Sequence, residues 1–283
     1  MFASARYVTA CAALVLALAP AGGVVSAPAS VLADHLLITW YGNPRSTRMG
    51  ILGELRGAEL AAGLREQAAA YAKLTSKQIL MGYHLVTIVA QCTAGSDGKY
   101  RRRESADLIR SLLSDARANG FKLILDVQVG RSTVAEEVKA LQPYLAEPDV
   151  YLALDPEFAM SDCEVPGQTI GELHAADVNA ALDVLEPLIA GAHLPPKVLI
   201  VHQFRRDMLP DKKDIRTSAM VDVVLNMDGI GSQALKLSSY RTIMTQGQLP
   251  FAGIKLFYKQ DTQLFTPAQI MALTPTPSVV IYQ

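Results

Sequence analysis

From residue 35 onward the chain alternates between two hydrophobic patterns. Short apolar runs rich in β-branched residues occur at 35–41, 83–90, 121–129, 150–158, 197–204, 221–228, 253–258 and 278–282. Their near-continuous hydrophobicity marks strands covered on both faces, as in parallel sheets. Segments 58–74, 105–119, 134–145, 175–192, 211–220, 232–245 and 267–273 instead repeat their apolar positions at helical spacing. Strands separated by helices pair in parallel through right-handed crossovers. Eight such units in roughly 250 residues predict an α/β fold, a single-domain (β/α)8 TIM-type barrel. The seven helical segments leave it lacking a final eighth helix, with the chain ending at Gln283 directly after strand eight. A doubly wound open sheet is the other arrangement this pattern allows. Local signals agree with the helices: Thr266-Pro267 is an N-cap followed by proline, and Asn119-Gly120 is a stop.

Residues 1–29 follow another logic. Arg6 supplies a basic start, 10–19 is apolar, and small residues run through Ala27 and Ala29. This is the pattern of a secretory signal peptide, too short to span a membrane. Cleavage after Ala29 would leave a barrel domain at 30–283, secreted or periplasmic, with no membrane span. Half of the residues are apolar, enough for a sizeable core. The net charge of −1 gives no support for a nucleic-acid partner. Cys92 and Cys163 follow the second and fourth strands, on one end of a barrel. Whether they pair is open, because sequence does not fix the distance between them.

Barrel chemistry sits at the C-terminal ends of the strands. Those positions carry Trp40 and Tyr41, Gln91, Asp126 and Gln128, Asp155 and Glu157, His202 and Gln203, Asn226 and Asp228, Lys255 with Phe257 and Tyr258, and Gln283. Buried without partners, such groups cost about 1–3 kcal/mol each, so a polar network at one end is the economical reading. The segment Leu154-Asp-Pro-Glu-Phe158 stands out. Two-residue spacing puts Asp155 and Glu157 on one face of a strand, and Pro156 ends regular pairing. Glu157, in an apolar setting, is the candidate general acid. Asp155 and Asp126 are candidate carboxylates that stabilise positive charge. Trp40, Tyr41, Gln128, His202, Gln203, Asp228, Lys255 and Tyr258 are candidate substrate-binding residues, the aromatics by stacking on sugar faces. The glycine-bearing loop 41–54 is placed to shape the mouth of the cleft, with Glu54 as a reserve acid. The basic run Lys99-Tyr-Arg-Arg-Arg103 reads as a solvated loop.

The strand-four ending Asp155-Pro-Glu157 resembles the motif of barrel glycoside hydrolases of the chitinase-like and lysozyme-like families. Tyr151 and Ala153 stand where the longer chitinase pattern carries aspartates, and strand seven offers Lys255 and Asp261 but no glutamate. The whole chain is similar to a group of secreted bacterial barrel proteins with Tyr-Gly-x-Pro, Met-Gly-Ile-Leu-Gly-Glu and Leu-Asp-Pro-Glu-Phe segments. That resemblance implies a barrel and export, and assigns no activity.

The expectation is an exported barrel that cleaves a polysaccharide or cell-envelope glycan by carboxylate acid–base chemistry without a cofactor. Two alternatives remain: a metal-dependent hydrolase of phosphodiesterase or deacetylase type, with Asp126, Glu157, His202 and Asp228 as ligands, and a non-catalytic carbohydrate-binding barrel.

Overall fold

The structure is a computed structural model that describes residues 1–2, 30–245 and 249–283. The expected signal peptide, beyond its first two residues, lies outside them. A short helix α1 (Val31–Asp34) leads into β1 (His35–Gly42), followed by α2 (Ile51–Glu54) and α3 (Gly57–Ala69). Then come β2 (Gln78–Ala90), β3 (Arg101–Arg103), α4 (Ala106–Ala118) and β4 (Lys122–Val127). The middle of the chain forms α5 (Val134–Ala140), α6 (Gln142–Leu145), β5 (Val150–Leu154) and α7 (Ala175–Gly191). It ends with β6 (Lys197–Gln203), β7 (Val221–Met227), α8 (Gln233–Met244), β8 (Phe251–Leu256), α9 (Pro267–Met271) and β9 (Val279–Tyr282).

Eight strands pair in parallel in the order β1-β9-β8-β7-β6-β5-β4-β2, and β1 also pairs with β2. The sheet is therefore closed, a (β/α)8 barrel, and the open-sheet alternative is set aside. Alternation along each strand separates two cores. Leu36, Ile38 and Trp40 face the helices, whereas Leu37 and Tyr41 face the barrel axis with Ile124, Ala153, Ile200, Val224 and Ile281. Ser105, Thr133, Ser232 and Thr266 each accept a backbone N–H at a helix start, satisfying groups that have no partner within the helix. Leu32 of α1 closes the bottom of the barrel, where its N–H donates to Asp222 Oδ2 at 2.8 Å.

Several expectations are corrected. The helix expected at 134–145 is two helices, because Pro143 has no N–H for the bond that would continue α5. Segment 211–220 holds only a 3-10 turn, Lys212–Asp214. Buried Lys212 donates to Ile243 O at 2.7 Å and Gln203 Oε1 at 3.0 Å, and the Arg216 guanidinium is held by Glu186 and Asp183 of α7. These ties draw the connection between β6 and β7 tight against its neighbours. The basic run is not a free loop: it contributes β3, antiparallel to β2. Arg101 and Arg103 donate through Nε to buried Glu137, each at 2.7 Å. Cys92 and Cys163 are both free and exposed. Among the described residues, no helix is long and apolar enough to cross a membrane.

Candidate active site

A cavity of about 960 Å³ opens at the C-terminal end of the barrel. Its acidic wall comes from Asp155, Glu157 and Asp228, beside Tyr41, Gln128, Lys255 and Gln283. Phe158, Phe204 and Phe257 supply aromatic surface, and exposed Ile230 and Leu235 stand at the rim.

The loop after β1 reaches over this opening. Gly42 and Gly50 adopt φ of +145° and +112°, which other residues rarely take. Between them, Asn43 Nδ2 donates to Val86 O at 3.0 Å and to Glu104 Oε1 at 2.9 Å, while Arg45 Nε donates to Glu104 Oε2 at 2.8 Å. The anchored turn places Ser46, Arg48 and Met49 on the cavity wall. Glu54 is turned away and pairs with Lys259 at 2.6 Å, so it lies outside the large cavity.

Strand β5 stops at Leu154, and Asp155 caps the 3-10 turn Pro156–Phe158 by accepting the Glu157 N–H at 3.2 Å. The two acids therefore do not occupy alternate positions of one strand. Gln128 fixes Asp155 from the other side. Its Oε1 accepts Ala90 N–H at 3.1 Å, which leaves Nε2 to donate to Asp155 Oδ2 at 3.2 Å. Burial, and then the charge of Asp126, raise the Asp155 pKa to about 8. Burial and the Asp228 charge also raise that of Glu157, which remains half-buried at the cavity floor. Both carboxyls are thus biased toward the protonated form.

Beneath the floor lies a layer that does not reach the cavity. His84 of β2, Asp126 of β4 and His202 of β6 are fully buried. Asp126 Oδ2 lies 3.6 Å from His84 Nε2 and 3.6 Å from His202 Nε2. His202 Nδ1 faces Asp228 Oδ2 at 3.2 Å and Asn226 Nδ2 at 3.2 Å. Tyr41 packs on His84 with ring centres 5.0 Å apart, and Lys255 Nζ sits 3.4 Å from the Tyr41 ring centre, a cation–π contact. Burial lowers the His84 pKa to about 4. For His202 burial acts the same way, but the charges of Asp126 and Asp228 outweigh it and raise the pKa. Burial disfavours ionised Asp126, yet the neighbouring imidazoles prevail and hold its pKa below the usual carboxylate range.

The structure thus sorts the candidates. Asp155, Glu157, Tyr41, Gln128, Asp228 and Lys255 line the cavity. Asp126 and His202 lie under it, without access to a substrate. Trp40 faces α3, where its ring fills the space beside Gly63. Gln203 faces outward and is used up by Lys212, Arg205 O and Arg206 O. Tyr258 stacks on Tyr282 and donates to Gln67 Oε1 at 2.8 Å. The metal set Asp126, Glu157, His202 and Asp228 is not assembled as such. Among the described residues, the ligand atoms that lie within 4.8 Å of one another belong to His84, Asp126 and His202. Sequence reasoning missed His84, which reads as a lone polar residue within an apolar run. The available signal was its two-residue alternation with Val86, which faces the axis.

No family model matches the chain, and no curated protein matches it in sequence. Among the solved structures that resemble it, two are similar over most of its length. A GH5 xyloglucanase from Bacteroides ovatus, in complex with a XXXG heptasaccharide, is 11% identical, with 88% of this chain and 68% of that chain covered and a TM-score of 0.38. A GH18 chitinase from Pseudoalteromonas aurantia is 8% identical, with 87% of this chain and 93% of that chain covered and a TM-score of 0.31. At this identity and overlap neither likeness bears on activity. Fold and site together define a single (β/α)8 barrel with an acidic cavity over a buried histidine–aspartate layer.

Proposed function

We propose that the protein is a glycoside hydrolase acting on a polysaccharide or cell-envelope glycan outside the cytoplasm, with Glu157 as general acid. The observation that carries this reading is the half-buried Glu157 carboxyl, its proton favoured by burial and by the Asp228 charge, on the floor of a 960 Å³ cavity. A carboxyl whose protonated form is favoured by burial is suited to donating a proton near neutrality. In this mechanism Glu157 protonates the leaving oxygen as the glycosidic bond breaks, and a water molecule then adds to the anomeric carbon and returns a proton to the Glu157 carboxylate. Asp228, braced by His202 at 3.2 Å, supplies the carboxylate that stabilises the oxocarbenium-like centre. Asp155, with a pKa near 8, is a neutral positioning residue at neutral pH, not the anion expected from sequence. Asp126 acts through the charge it places beneath the floor. Phe158, Phe204 and Phe257 offer faces for sugar rings, and Gln128 and Lys255 bind hydroxyls.

The test is turnover by the purified protein on a panel of polysaccharides and peptidoglycan, beside Glu157→Gln. Cleavage by the parent that the variant loses by about 10²–10⁴-fold supports the assignment. Cleavage that the variant retains overturns the role of Glu157. Binding of a glycan with no cleavage by either protein would make the barrel a carbohydrate-binding protein instead.

A further inference from the structure

The layer beneath the cavity has more polar atoms than partners. Among the described residues, no partner stands within 3.5 Å in hydrogen-bond geometry of either ring nitrogen of His84, either carboxylate oxygen of Asp126, or Nε2 of His202; the two Nε2 atoms each approach Asp126 Oδ2 at 3.6 Å. All three residues are 0% exposed. Leaving such groups unsatisfied costs about 1–3 kcal/mol each, and here they converge instead of scattering. We propose that His84, Asp126 and His202 form a buried binding site for one divalent transition-metal ion of the zinc type.

Both histidine–aspartate separations are short for a bridging water and close to those across a tetrahedral ion. Ligands about 2.1 Å from a tetrahedral ion stand about 3.4 Å apart. A water that accepts or donates at about 2.8 Å holds its partners about 4.6 Å apart at tetrahedral angles. The two histidine–aspartate separations are both 3.6 Å, close to the first value and far from the second. Two imidazole nitrogens and one carboxylate suit zinc and its first-row neighbours, whereas calcium and magnesium favour oxygen sets. Asp228 completes the arrangement from behind. Its contact with His202 Nδ1 turns Nε2 toward the cluster, the carboxylate–histidine pairing common at metal sites.

The ligands are rigidly delivered. They sit on β2, β4 and β6, whose pairings run through the barrel wall. Because none of them reaches the cavity, the ion takes no substrate. This inference does not rest on glycan cleavage, since metal content is measured without any turnover.

The experiment is elemental analysis of tag-free protein purified without chelator, beside His84→Gln, His84→Ala and Asp126→Asn. A parallel sample is unfolded with chelator and refolded with Zn²⁺, Mn²⁺ or Co²⁺. The expected result is about one ion per chain in the parent and at least a tenfold loss in each variant. The refolded parent should also gain roughly 5–10 °C in Tm at about 100-fold excess over Kd, and the Co²⁺ form should absorb as a tetrahedral complex. A parent that carries less than about a tenth of an ion and takes up none of the three on refolding overturns the site. So does an ion that stays bound in the two conservative variants. If His84→Ala fails to fold, the parent's metal content and His84→Gln still decide.

Discussion

In protein stripped of metal, replacing Asp155 with asparagine should change how stability depends on pH. The residue is 4% exposed, and burial with the Asp126 charge raises its pKa from 3.8 to about 8. The unfolded chain returns the carboxyl to the ordinary range. A pKa raised by folding means that its contribution is complete below pH 4 and is lost as the pH climbs toward 8. At about 1.36 kcal/mol per pH unit, the interval from pH 4 to 7 removes up to about 4 kcal/mol from the parent. The asparagine variant has no proton to lose, so this slope disappears. It has a constant cost instead: Asp155 accepts from Gln128 Nε2 at 3.2 Å and from the Glu157 N–H at 3.2 Å, and an asparagine has one acceptor oxygen for these two donors, so its NH2 faces one of them. That cost is about 1–3 kcal/mol. The variant should therefore be less stable than the parent at pH 4 and more stable at pH 8, with the curves crossing between. His202, whose pKa is also raised, adds a downward slope above its ordinary value near 6.5, but adds it to both proteins. Urea unfolding at half-unit steps from pH 4 to 8.5, with m-values compared, measures the difference. Parallel stability curves for the two proteins would refute the reasoning.

Glu157→Gln should abolish cleavage by about 10²–10⁴-fold while leaving the urea midpoint nearly unchanged, since the site is half-buried and the amide has the same shape. Glu137→Gln removes the shared carboxylate between Arg101 and Arg103. It should cost about 3 kcal/mol in urea unfolding and speed amide exchange in β3 before the rest of the barrel. Gly63→Ala drives a methyl group into the Trp40 ring, with an expected loss of about 1–3 kcal/mol and parental turnover. A turnover defect at unchanged stability in that variant would put Trp40 back in the substrate path.

Much of the barrel was legible before its structure, because its signals are local. All eight barrel strands lie where the apolar runs fall, and the cap read at Thr266 is used as expected. Local reading failed where distant residues intervened. Segment 211–220 has a helical pattern, but Lys212 is tied to α8 and Arg216 to α7. The basic run at 101–103 became a strand because Glu137, far along the chain, neutralises it from beneath.

The candidate site divides along the same line. The sequence by itself determined that acids and amides gather at the strand ends, and it pointed to Asp155, Glu157, Gln128, Asp228 and Lys255. Only the closed barrel decided which of two adjacent residues faces the axis: Tyr41 but not Trp40, His202 but not Gln203, Phe257 but not Tyr258. Periodicity of two is visible in one strand, yet its phase relative to the core is set by closure and by register with both neighbours. A register shift between Val86 and Ile88 in β2 shows the point, since it lets both Val86 and Val89 face inward. Strand-end position grouped Asp126 with His202, but that His84 joins them has no trace in spacing along the chain. Three separate strands bring them together across the axis, and only the tertiary fold makes their distances small.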